Sequence, residues 1–63
     1  MPQIETSTRK ITARLEREGW VNAGGAKHDR FTHPVHSGFV IVPRHREQSP
    51  GVAKSIAKGA GWI

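Results

Sequence analysis

The chain has 63 residues, a formal charge of +5 from 10 Lys and Arg against 5 Asp and Glu, and no cysteine. One domain spanning residues 1–63 is all that this length accommodates, burying roughly 60% of the surface its unfolded chain exposes, and without cysteine it has neither disulfides nor thiolate metal ligands, so a reducing compartment, the cytoplasm, is the expected setting. The longest apolar run, Phe39 to Pro43, is far short of the roughly 20 residues a membrane span needs, and no signal peptide is expected, whereas the charge favours a polyanionic partner such as nucleic acid.

The first predicted element is a helix near residues 7 to 18. Thr6 or Ser7 caps it, Ile11 and Leu15 share one face, and Gly19 ends it. Arg9, Lys10, Arg14, Glu16, Arg17 and Glu18 occupy its other positions, so a narrow stripe faces the core and the rest faces water. Three short strands follow. Trp20 to Ala23 precedes the Gly24-Gly25 turn, His28 to His33 is the second strand, and Phe39 to Val42 is the third, stopped by Pro43. A closing helix has Ser49 as N-cap, Pro50 at its first position, Val52 and Ile56 on one face, and Gly61 as its stop.

The order helix, three strands, helix predicts an α+β fold of two layers, α-β-β-β-α: a three-stranded antiparallel sheet with both helices on one face and the other face open. Side chains alternate along a strand, so placing Phe31 towards the helices with Asp29 and His33 turns His28, Arg30 and Thr32 to the open face. The third strand is apolar on both sides, and either Phe39 with Ile41 or Val40 with Val42 must point outward as an apolar patch.

His28 is the leading candidate for chemistry. It follows the flexible run Gly24, Gly25, Ala26, Lys27, it has a cation beside it, and imidazole as a side-chain type titrates at about pH 6.5, close enough to neutrality to take or give a proton. Lys27 and Arg30 are candidate phosphate contacts next to it. Arg44 and Arg46, which flank His45 in a basic loop, are further candidates for the same role.

The helix, Glu18-Gly19-Trp20, Gly25-Ala26-Lys27-His28, the Val40 to Pro43 strand and Pro50-Gly51 opening a helix together resemble the HicA toxin family over residues 7 to 62. The resemblance implies a fold similar to double-stranded-RNA-binding domains. It also implies a small ribonuclease, an mRNA interferase that cuts messenger RNA without a metal or other cofactor, and a HicB-like antitoxin partner that keeps it inactive. The catalytic histidine it implies falls on His28. Many members of the family have Gly-Ser-His where this chain has Ala26-Lys27-His28, so any role of that serine does not carry over, and Lys27 is its electrostatic substitute.

Metal-free RNA cleavage needs a proton taken from the ribose 2′-OH, a proton given to the departing 5′-oxygen, and positive charge near the phosphorus. One histidine serves either proton step. A zinc site from His33, His36 and His45 is disfavoured, because no cysteine joins them and a turn containing Pro34 gives poor tetrahedral geometry. Trp20 and Trp62 read as core rather than base-stacking groups. Two rival readings remain: a non-catalytic module that holds double-stranded RNA through Lys27, Arg44, Arg46, Lys54 and Lys58, and a structural subunit that docks a partner on its open-face apolar patch.

Overall fold

The structure is a computed structural model that describes residues 4 to 63. Its elements run α1 (Thr8–Arg17), β1 (Val21–Asn22), β2 (His28–Thr32), β3 (Phe39–Pro43) and α2 (Pro50–Gly59), a small α+β fold in the expected order. The three strands form one antiparallel sheet in the order β1-β2-β3.

Local chemistry sets both helix starts. The Ser7 hydroxyl accepts from the Lys10 N–H at 3.5 Å, and the Ser49 hydroxyl accepts from the Val52 N–H at 3.4 Å. Each satisfies a first-turn donor that has no partner inside the helix. Pro50 sits where its missing N–H costs nothing and its fixed φ already suits a helix. Gly19, at φ +96°, reverses the chain after α1, a conformation that L side chains resist. A Cβ there would also lie 3.0 Å from His33 Nε2.

Ile11 and Leu15 of α1, Ala53, Ile56 and Ala57 of α2, and Phe31, Val40 and Val42 of the sheet are buried. Ile11, Leu15, Ile56, Phe31, Val40 and Val42 also belong to one contiguous cluster, so both helices cover the same sheet face. Register then resolves the ambiguity of the third strand. Phe31 pairs with Val40 and Asp29 with Val42, and cross-strand partners share a face, so both valines go inward. Ile41, opposite Arg30, and Phe39, opposite Thr32, go outward.

Two boundaries differ from expectation. The first strand shrinks to Val21–Asn22, because Trp20 turns into the core behind the Gly19 reversal and its N–H donates back to the Leu15 carbonyl at 2.9 Å. The third strand extends through Pro43, which pairs with His28 at the end of the ladder, where the absence of an N–H is tolerated. Among the described residues, no helix is long and apolar enough to cross a membrane.

The segment between β3 and α2 braces the start of α1. Gln48 is buried, and its Nε2 donates to Thr8 Oγ1 at 2.7 Å and to the Pro43 carbonyl at 2.8 Å. Its backbone N–H donates to the Thr6 carbonyl at 2.8 Å, and the Thr8 N–H donates to the Arg46 carbonyl at 3.2 Å. A buried amide left without these acceptors would cost about 1–3 kcal/mol.

Candidate functional site

The connection between β1 and β2 decides where His28 sits, and it is fastened from several sides. Asn22 Oδ1 accepts from the Gly24 N–H at 2.8 Å, the Ala23 N–H donates to the Arg30 carbonyl at 2.6 Å, and the Arg30 N–H donates to the Gly24 carbonyl at 3.2 Å. From the far end of β3, Arg44 Nη2 donates to the Gly25 carbonyl at 2.8 Å while its Nε donates to Asp29 Oδ1 at 3.1 Å. Gly25 has φ +154°, and a Cβ there would stand 2.2 Å from the His28 carbonyl oxygen. Only glycine allows the chain to fold this tightly against the residue it delivers.

His28 is exposed on the open face at the start of β2. It lines a shallow depression with Gly24, Gly25, Lys27, Arg30, Thr32 and Ile41, and among the described residues no carboxylate lines it. The nearest one in sequence, Asp29, points to the other side of the strand and is neutralised by Arg44. The imidazole therefore sits in an environment of one charge sign, suited to an anionic ligand. The Arg30 guanidinium leans along the strand and lies 4.2 Å from the centroid of the Phe39 ring. That is the diagonal cross-strand neighbour, since Arg30 faces Ile41 directly.

The four cations singled out from the sequence thus separate into two pairs. Lys27 and Arg30 join His28, whereas Arg44 and Arg46 line a different groove with His45, Glu47 and the α1 residues Arg9 and Lys10. Within that second groove Arg44 is already engaged by Asp29 and the Gly25 carbonyl, so it also braces the turn that carries His28. No spacing rule in the sequence signals an ion pair between a strand residue and one fifteen positions away, just past the neighbouring strand. Phe39 is the other residue whose place was hidden, because its strand is apolar on both faces; it is 52% exposed, beside Arg30.

His33, His36 and the two tryptophans are structural. His33 Nδ1 accepts from the Val35 N–H at 3.0 Å, and His33 Nε2 lies 3.0 Å from the Glu18 carbonyl oxygen. A carbonyl only accepts, so Nε2 carries the proton and Nδ1 presents its lone pair. Both ring nitrogens are spent on backbone, which leaves no lone pair for a metal. Among the described residues, no group of three or more His, Cys, Asp and Glu side chains gathers into a metal-binding cluster. The His33 and His36 rings also pack on buried Trp20, with centroids 5.1 and 5.2 Å away.

Trp62 packs against the core, donates from Nε1 to Glu18 Oε1 at 2.7 Å, and receives the Arg14 guanidinium over its ring at 4.2 Å. The indole hydrogen bond, followed by the bond from Arg14 Nε at 3.0 Å, holds the Glu18 carboxyl below the usual glutamate range.

Fold and site together define a small basic α+β protein with an exposed histidine on the uncovered face of its sheet, set among cations and delivered by a glycine turn. Residues 8–62 match the model of the family described as HicA toxin of bacterial toxin-antitoxin. The chain belongs to that family, and its membership makes it a toxin with an antitoxin as its implied partner. No curated protein matches it.

Proposed function

We propose that this protein is the toxin of a type II toxin–antitoxin pair: a metal-independent endoribonuclease, acting in the cytoplasm, that cuts messenger RNA with His28 and is held inactive by a HicB-like antitoxin. The observation that carries this reading is the placement of His28 itself, exposed in an anion-attracting depression and fixed from behind by the Gly25 turn and the Arg44 brace.

The chemistry follows from those groups. The imidazole takes the proton of a ribose 2′-OH, the 2′-oxygen bonds to phosphorus, and the bond from phosphorus to the 5′-oxygen breaks. The departing oxygen takes a proton from the now protonated imidazole or from water. The products are a 2′,3′-cyclic phosphate and a 5′-hydroxyl. Lys27 and Arg30 supply positive charge as the phosphorus gains a negatively charged oxygen, and acid–base assistance of this kind is worth about 10² to 10⁴-fold. DNA lacks the attacking hydroxyl and is resistant.

The test is induced expression of the intact chain beside His28→Ala, at matched accumulation and folding, with cleavage by the purified protein repeated in excess chelator. Growth arrest and RNA fragmentation by the intact chain alone, undiminished by chelator, are the expected result. Equal cutting by both proteins would move the catalytic role away from His28. No cutting by either, with duplex RNA still bound, would replace the enzyme by a binding module.

A further inference from the structure

The open face carries more than the cleavage chemistry needs. Val21, Thr32 and Phe39 form one row across the three strands, with Arg30 and Ile41 as the next row and His28 and Pro43 as the last. Val21 is 59%, Phe39 52% and Ile41 38% exposed, so the row farthest from His28 carries an aromatic ring half open to solvent. The Arg30 guanidinium carbon lies over that ring, 4.2 Å from its centroid, placing a cation against an aromatic face. This placement is not imposed by the fold, because the Phe39 side chain contributes nothing to the buried cluster.

We infer that Phe39 and Arg30 form a stacking platform for an unpaired base of the substrate, so that the site takes single-stranded rather than duplex RNA. This inference rests on the ribonuclease reading of His28 and names the class of RNA it acts on. Three physical arguments favour this occupant.

Unpaired bases stack on aromatic rings and on guanidinium planes, whereas the bases of a duplex are stacked on one another and present only edges. The charge of the face suits the phosphates flanking such a base, since His28 and Arg30 stand on it beside Lys27 and, among the described residues, no carboxylate lines the depression they share. The geometry of the reaction points the same way, because the 2′-oxygen must approach in line with the departing 5′-oxygen, an arrangement a helical backbone does not offer. Four residue steps separate His28 from Thr32, which faces Phe39, so the Phe39 row lies about 13 Å along the strand from the His28 row, with Arg30 between them. The stacked base therefore belongs to a nucleotide beyond the one that is cut, and it fixes where along the strand the 2′-OH meets His28.

The experiment uses the full chain carrying His28→Ala, so that RNA stays uncut, and measures the anisotropy of a labelled, non-self-complementary oligoribonucleotide of about ten nucleotides beside its duplex. Phe39→Leu keeps apolar bulk and removes the ring; it is expected to weaken single-strand binding about tenfold, within the range measured for one stacked base. Phe39→Trp restores the affinity, and duplex binding is weaker and indifferent to either change. Half-exposed Phe39 leaves no cavity when replaced, and circular dichroism confirms equal folding.

Unchanged single-strand affinity in Phe39→Leu, or a preference for the duplex, would overturn the platform. So would a Phe39→Leu protein that binds and cuts RNA normally but escapes its antitoxin, which would make the row a protein-docking surface. With His28 restored, cleavage separates the two claims. A parent that cuts while Phe39→Leu binds and cuts equally well refutes the platform alone, and a protein that binds through Phe39 yet never cuts refutes the ribonuclease alone.

Discussion

His28 and His33 lie five positions apart, at the start of β2 and just past its end, and their surroundings use the same side chain in opposite ways. His33 gives its Nε2 proton to the Glu18 carbonyl, accepts the Val35 N–H at Nδ1, and lies against buried Trp20. His28 stands exposed in a cationic depression, and the glycine turn is folded tightly against its backbone. In the first case the backbone uses the imidazole; in the second the backbone is shaped to present it. A histidine in this chain is recognised as structural by what its ring nitrogens already hold.

The largest separation between the two comes from replacing each with alanine. In His28→Ala the cleavage rate should fall at least 10²-fold with the melting temperature unmoved, because an exposed side chain is lost. His33→Ala should keep the cutting rate of its folded fraction but lose about 1 kcal/mol of stability, since it removes the ring that packs on Trp20 and its bonds to the exposed Val35 N–H and Glu18 carbonyl. Each kcal/mol corresponds to roughly 4–8 °C in a domain of this size, readable by thermal denaturation beside single-turnover cleavage. If both variants lose activity in proportion to stability, the contrast between them fails.

Gly25→Ala tests whether the backbone presents His28. Its new methyl group would meet the His28 carbonyl at 2.2 Å, so the turn must open. The expected loss is about 1–3 kcal/mol of stability, with a further fall in rate per folded molecule that His33→Ala does not show. Normal cleavage by a folded Gly25→Ala protein would mean that the turn is not what positions the histidine.

Arg44→Ala removes the brace from the opposite side. The pair with Asp29 is partly exposed and worth at most about 1 kcal/mol, so the melting temperature should shift little. The rate should drop severalfold as the turn gains freedom, and Arg44→Lys should rescue it only in part, because one ammonium cannot reproduce the fork that bonds Asp29 and Gly25 together.

The smallest effect belongs to Glu18. Its carboxyl is held below its unfolded value, about 4.3, by Trp62 and then Arg14. The stabilisation is therefore present above that value and is lost as pH falls below it through the folded value. Denaturant midpoints measured downward from pH 6 should show a slightly shallower acid slope in Glu18→Gln than in the parent. An identical slope would assign the acid sensitivity to other carboxylates.

Much of this arrangement was legible in the residues. Ser7, Ser49 and Pro50 announce helix starts, Ile11 with Leu15 marks a buried stripe, and the alternation around Phe31 puts His28 on the open face. The match to the toxin family over residues 8–62 agrees with the motifs quoted from the chain. What stayed hidden depends on register. Phe39, Val40, Ile41 and Val42 are all apolar, so only the pairing of Phe31 with Val40 tells which of them face water. The same applies to Arg44. In a basic loop it reads as a phosphate contact, and only the pairing of Asp29 with Val42 brings the Asp29 carboxylate within its reach.

The bracing of α1 by residues 43–48 also bears on the order in which the molecule assembles. An isolated helix of ten residues is marginal in water, and the supports of this one, from Arg46 and Gln48, arrive from about forty positions away. The hairpin of β2 and β3 closes over a far shorter loop and is the entropically cheaper structure to form first. Translation thus delivers α1 long before the segment that secures it. On this entropic ground the strand bearing His28 is expected to gain its partner early, and the helix at the beginning of the sequence to lock late.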